Sequence, residues 1–111
     1  LNLCLGSTAE MLEDPANEIV DVIQYFGERN KIFNIHFRNI RGKRGDFQEV
    51  YPDEGDMDML QLARALRDVD YPYMVMPDHV PKHPEDPGGH QGFAFSYGYI
   101  KALLQAVKAQ A

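Results

Sequence analysis

The chain has 111 residues, so it holds one domain of modest core at most. Its 44% hydrophobic and 25% charged residues are globular values and exclude a disordered chain. A net charge of −6 argues against a nucleic-acid partner, and no apolar run approaches the length of a membrane span.

Cys4 is the single cysteine, which excludes an internal disulfide and fits a reducing, cytoplasmic setting. The start carries neither a basic cluster nor a sustained apolar segment, so no signal peptide is expected. "LNLCL" already reads as a strand, with Leu1, Leu3 and Leu5 on one face and Asn2 and Cys4 on the other, as in a chain entered part-way. "GSTAEMLEDP" reads as a loop. Asp14 followed by Pro15 marks a helix start, and Ile19, Val22, Ile23 and Phe26 recur at helical spacing, predicting a helix over 15–28. Residues 31–40 predict a second strand, with Phe33, Ile35 and Phe37 on one face and Asn34, His36 and Arg38 on the other.

The segment 41–55 mixes charge, glycine and aromatics and reads as an unusually long loop, which in a compact unit is often functional. Its basic cluster, "RGKRG", sits beside acids and reads as solvated. Asp56 is placed to cap a helix over 57–68 whose inward face is Met59, Leu60, Ala63 and Leu66. "YMVMPDHV" predicts a third strand, with Met74, Met76 and Asp78 on one face. A Pro/Gly-rich loop follows, then a helix over 94–109 with Ile100, Leu103, Leu104 and Val107 as its apolar stripe.

The order β-α-β-α-β-α implies an α/β fold of parallel strands joined by right-handed crossovers. Three strands with helices on one side leave the other sheet face bare, whereas parallel sheets are covered on both. More strands are therefore expected, or the bare face is the interior of a larger barrel.

On that bare face the first strand offers Asn2 and Cys4, the second Asn34, His36 and Arg38, the third Met76 and Asp78. They gather toward the C-terminal strand ends, where active sites of parallel α/β folds lie. Cys4, His36 and Asp78 together make a divalent-metal set. Thiolate and imidazole favour zinc or a borderline ion, carboxylate brings in manganese, iron or magnesium, and the mixture does not choose. Each residue also has a plainer reading. Cys4 reads as a small buried hydrophobe, His36 as a satisfied core histidine, Asp78 as a turn cap and His79 as an exposed loop residue. Arg38 can simply pair with an acid such as Glu49, and solvation is favoured for His83 and His90.

Taken together, "CLGS", "IHFRNIRG", "YPDEGDMDM", "MPDHVP" and "AFSYGYIKALLQA" resemble the C-terminal part of mannonate dehydratases, across nearly all 111 residues. The resemblance implies the C-terminal βαβαβα portion of a TIM barrel related to xylose isomerase-like sugar enzymes. Residues 1–111 would then form a partial domain of roughly the last three βα units, with the helices on its outer face. It implies a hydro-lyase that converts D-mannonate to 2-dehydro-3-deoxy-D-gluconate and water in hexuronate degradation, with a divalent metal as cofactor: manganese, with iron(II) as the alternative. By motif, Cys4, His36 and Asp78 match metal ligands and His79 an acid/base group. Arg38 and Asn34 are expected to bind the sugar acid, the small-molecule partner. The remaining strands would come from further chain or another subunit, a homo-oligomer being one arrangement, and the isolated 111 residues are expected to be inactive. One departure stands out: the family's "GY" tyrosine is replaced by Gly92-Phe93, with Tyr97 and Tyr99 nearby. A metal-dependent sugar isomerase or epimerase, and a non-catalytic assembly module, are the competing readings.

Overall fold

The computed structural model describes residues 1–110. Three short parallel strands, β1 (Asn2–Cys4), β2 (Asn34–His36) and β5 (Val75–Met76), form a sheet in the order β1-β2-β5. The register pairs Asn2 with Asn34, Cys4 with His36, and His36 with Met76. Because side chains alternate along a strand, this alignment puts the polar residues of β1 and β2 in rows on one face. Leu3 and Ile35 point the other way and are buried under the helices.

Between β1 and β2 lie α1 (Leu5–Ala9) and α2 (Pro15–Gly27). The expected loop after the first strand is thus helical from Leu5 onward. It starts there because Cys4 caps it: the Ser7 N–H donates to Cys4 Sγ at 3.4 Å. In α2, Pro15 stands in the first turn as expected. The Asp14 carboxylate is not the cap, however. It accepts from the Asn17 side chain at 2.7 Å, while the Asp14 N–H donates to Glu18 Oε2 at 2.7 Å. This resembles the reciprocal half of a capping box, with the acceptor one position further along the helix.

The segment expected to be a long loop is a β-hairpin. β3 (Asn39–Lys43) and β4 (Asp46–Val50) pair antiparallel around the two-residue turn Arg44-Gly45. Gly42 has φ 111°, and a Cβ there would lie 2.2 Å from the Asp46 carbonyl oxygen, so only glycine fits. Asp56, expected to cap the next helix, instead accepts the Gly42 N–H at 2.7 Å. The cap of α3 (Met59–Asp68) is Asp58, which accepts from the Gln61 N–H at 3.1 Å.

The third strand is shorter than the apolar run suggests. Met74 is 64% exposed, and the chain leaves the sheet at Pro77. The last helix, α4 (His90–Ala109), begins earlier than its stripe predicts, so His90 is its first residue rather than a loop residue. Ile100 and Val107 are buried, whereas Leu104 is 38% exposed. Helices α2, α3 and α4 pack side by side, and the core lies between them and the sheet: Leu5, Ile19, Ile23, Ile35, Phe37, Ile40 and Leu62 are all fully buried. Phe33, expected on that face, is 56% exposed beside Tyr73. Among the described residues, no helix is long and apolar enough to cross a membrane.

Candidate metal centre

The two strand-end residues Cys4 and His36 are neighbours by register. Asp78 reaches them by a backbone bend. Two residues past β5 its φ is 70°, a left-handed conformation that an Asp tolerates better than most side chains. The bend brings Asp78 Oδ2 to 3.5 Å from His36 Nδ1. One donor atom from each of Cys4, His36 and Asp78 lies within 4.8 Å of the other two. All three side chains are half-buried on the bare face of the sheet. Two ligands about 2.1 Å from a tetrahedral ion stand roughly 3.4 Å apart, so the His36–Asp78 separation already suits a shared cation. The residues present therefore fit a divalent ion, with the Cys4 sulfur oriented by the α1 backbone.

Beside this group lies a chain of polar contacts. His79 Nδ1 is 2.6 Å from Glu49 Oε1, and His79 Nε2 is 3.4 Å from Asp78 Oδ2. The same Glu49 oxygen accepts from Arg38 Nε at 2.7 Å, and Arg38 Nη1 donates to Glu10 Oε1 at 2.8 Å. Burial works against the Arg38 charge. The hydrogen bonds and charges of Glu49 and Glu10 outweigh that cost, so its pKa is raised above the ordinary arginine value. The aliphatic stem of Arg38 lies against Gly6, where a Cβ would come within 2.7 Å of Arg38 Cγ and Cδ.

Of the residues expected to bind substrate, Asn34 lies on the bare face. Its amide nitrogen donates to Asn2 Oδ1 at 3.2 Å, and its own Oδ1 is buried without a partner among the described residues. Arg38 follows β2 rather than belonging to it, and two of its nitrogens are held by acids as described. His83 does not join the group: its Nδ1 accepts the Glu85 N–H at 3.1 Å. A cleft of about 540 Å³ runs along the 79–89 loop and the start of α4 and is bordered by His79, His83 and Phe93, whereas Cys4, His36 and Asp78 lie outside its lining. Tyr97 is 54% exposed, and Tyr99 stacks on Phe95 with ring centroids 6.1 Å apart. Glu10 was not singled out in the sequence, and Glu49 only as a partner for Arg38. The contact of Glu49 with His79 depends on the hairpin, whose only local signal was Gly45 in its turn, with φ 77°.

A profile of the D-mannonate dehydratase family matches residues 1–111. The chain is 38% identical over 82 residues to a mannonate dehydratase of Endomicrobium trichonymphae, an alignment that covers 71% of this chain and 21% of that protein. It is 32% identical over 117 residues to the mannonate dehydratase of Enterococcus faecalis, with 99% of this chain and 31% of that one covered. The crystal structure of mannonate dehydratase from Streptococcus suis serotype 2 superimposes with a TM-score of 0.77 at 30% identity, covering 96% of this chain and 32% of that chain. The chain thus spans between about a fifth and a third of the length of these relatives.

Proposed function

The chain belongs to the D-mannonate dehydratase family, and from that premise we propose that it is part of a metal-dependent sugar-acid lyase. The reaction proposed is loss of water from D-mannonate to give 2-dehydro-3-deoxy-D-gluconate, a step of hexuronate breakdown. The observation that carries the reading is the convergence of Cys4, His36 and Asp78 within 4.8 Å at the strand ends. We assign them to a divalent ion, manganese first and iron(II) second. A free thiol in such a set suits a reducing compartment, and the cytoplasm is the one we propose.

Dehydration removes the C2 proton and expels the C3 hydroxyl, two steps that each need an acid/base group. The bound cation would supply electrostatic stabilisation of the anionic charge that develops on substrate oxygens. His79 is the acid/base group on this chain. Its Nε2, 3.4 Å from Asp78, is not held in a tight hydrogen bond and is free to take or give a proton. Asn34, with its unpartnered Oδ1, is assigned to a substrate hydroxyl. Arg38 has Nε and Nη1 committed to acids, which leaves Nη2 for the substrate carboxylate.

The bare sheet face and the relatives' greater length support reading residues 1–111 as a partial TIM barrel, the last three βα units. The missing walls would be supplied by further chain or by another subunit, as in a homo-oligomer. Titration of the chain with manganese(II), with free ion counted by electron paramagnetic resonance, tests the assignment. One site is expected in the parent and none in Cys4→Ala or His36→Ala. Equal binding by parent and variants, or none by the parent, overturns it.

A further inference from the structure

We propose that Glu49 is a positioning residue for His79, holding the imidazole with its proton on Nδ1 and its Nε2 turned toward the metal-ligand group. The inference rests on the reading of His79 as the acid/base group. It adds a residue from a different element, the β4 strand of the hairpin.

The geometry has three parts. Glu49 Oε1 faces His79 Nδ1 at 2.6 Å, and because a carboxylate can only accept, the contact favours the ring form with its proton on Nδ1. Nε2 then carries the lone pair of the neutral ring and faces Asp78 at 3.4 Å, beyond the usual hydrogen-bond range. An imidazole left to itself chooses between two tautomers and many ring orientations, whereas a fixed acceptor on one nitrogen decides both.

Glu49 is itself braced. Arg38 Nε donates to the same oxygen at 2.7 Å, and the Arg38 side chain is only 9% exposed. Arg38 is in turn anchored to Glu10, the residue that closes α1, at 2.8 Å. Three segments distant in sequence thus converge to hold one carboxylate oxygen against one ring nitrogen: the end of α1, the link between β2 and β3, and β4. His79 is 52% exposed, and the contact with Glu49 is the shortest polar contact its ring makes, at 2.6 Å against 3.4 Å for Asp78.

The test is nitrogen NMR of histidine-labelled chain, recorded on the alkaline side of histidine titration, where the tautomer is read directly. In the parent, His79 is expected to carry its proton on Nδ1. In Glu49→Ala that signature is lost in favour of the Nε2–H form, while Glu10→Gln, which removes the far brace without touching His79, retains it. A parent His79 protonated on Nε2 alone overturns the proposal, as does a Glu49→Ala spectrum identical to the parent. Should Glu49→Ala fail to fold, the parent spectrum still decides. The metal titration is independent of this readout: loss of the tautomer effect with manganese binding intact faults Glu49 alone. The converse faults the metal assignment alone.

Discussion

Asn39 is 1% exposed and uses both ends of its amide. Its nitrogen donates to the carbonyls of Pro52 at 2.9 Å and Met57 at 3.1 Å, and its Oδ1 accepts from the N–H groups of Ile40 and Met57. One side chain therefore ties the base of the hairpin to the segment that leads into α3. Asn39→Ala would strand two carbonyls and two N–H groups in the interior, which is expected to cost about 2–4 kcal/mol. A drop in the urea midpoint with an unchanged slope is the measurement that checks it. Nothing in the residue type announces this role, because Asn in a strand-like stretch is equally a surface residue. The Asn34, His36, Arg38 alternation was different: it marked a polar row in a buried strand, and the structure puts His36 beside Cys4 and Asp78. The partners of Arg38 were legible only in part, since Glu49 was among the acids in reach whereas Glu10 is 28 residues away in sequence.

At the scale of elements, the expectations about helix ends that failed share one cause. Helix stripes and apolar alternation report which face is buried, and they located α2, α3 and α4 to within a few residues. They do not report which oxygen caps which N–H, so Asp14 stands at the start of α2 as expected but without the side-chain cap bond, and the cap of α3 is Asp58 rather than Asp56. The start of α4 is a further case. Gly89 precedes it without a side chain to cap it, and Asp86 accepts instead from the Gly92 N–H at 2.9 Å and the Gln91 N–H at 3.2 Å. Those bonds, that to Gly92 foremost, lower the Asp86 pKa below its ordinary value of 3.8. The carboxylate form is thus favoured by the fold. Its contribution is fully present above pH 3.8 and is lost as pH falls through the lower folded value. Amide exchange at Gln91 and Gly92 is expected to quicken below about pH 4, relative to Ile100, and Asp86→Asn should abolish that acid dependence. At the other end of α4, Arg67 of α3 donates to the carbonyls of Val107 and Gln110, giving the last turn partners it lacks internally.

At the scale of the whole molecule, the sheet has helices on one face only among the described residues. Leu3 and Ile35 are buried beneath them, while Asn2 and Met74 on the opposite face are exposed and Asn34, His36 and Met76 are half-exposed. The outer edges of β1 and β5 are also unpaired within the described residues. One wall of a site can align three ligands, but it does not enclose a sugar acid or exclude water from it. On the barrel reading, the 111-residue chain with manganese and D-mannonate is expected to give no 2-dehydro-3-deoxy-D-gluconate. Turnover by the chain alone would mean that these strands suffice and would overturn that reading.

By itself the sequence determined the alternation of strands and helices, the parallel sheet this implies, and which residues of β1 and β2 share a face. These follow from periodicity, a local property of the chain. Only the tertiary structure decided that 41–55 is largely hairpin, that Asp78 bends back onto His36, and that Glu49 meets His79. The hairpin depends on a backbone reversal at Arg44-Gly45, and the other two on contacts between residues 30 to 42 positions apart, where the energy of an ion pair or hydrogen bond is set by distance in space. Spacing along the chain carries no record of that distance.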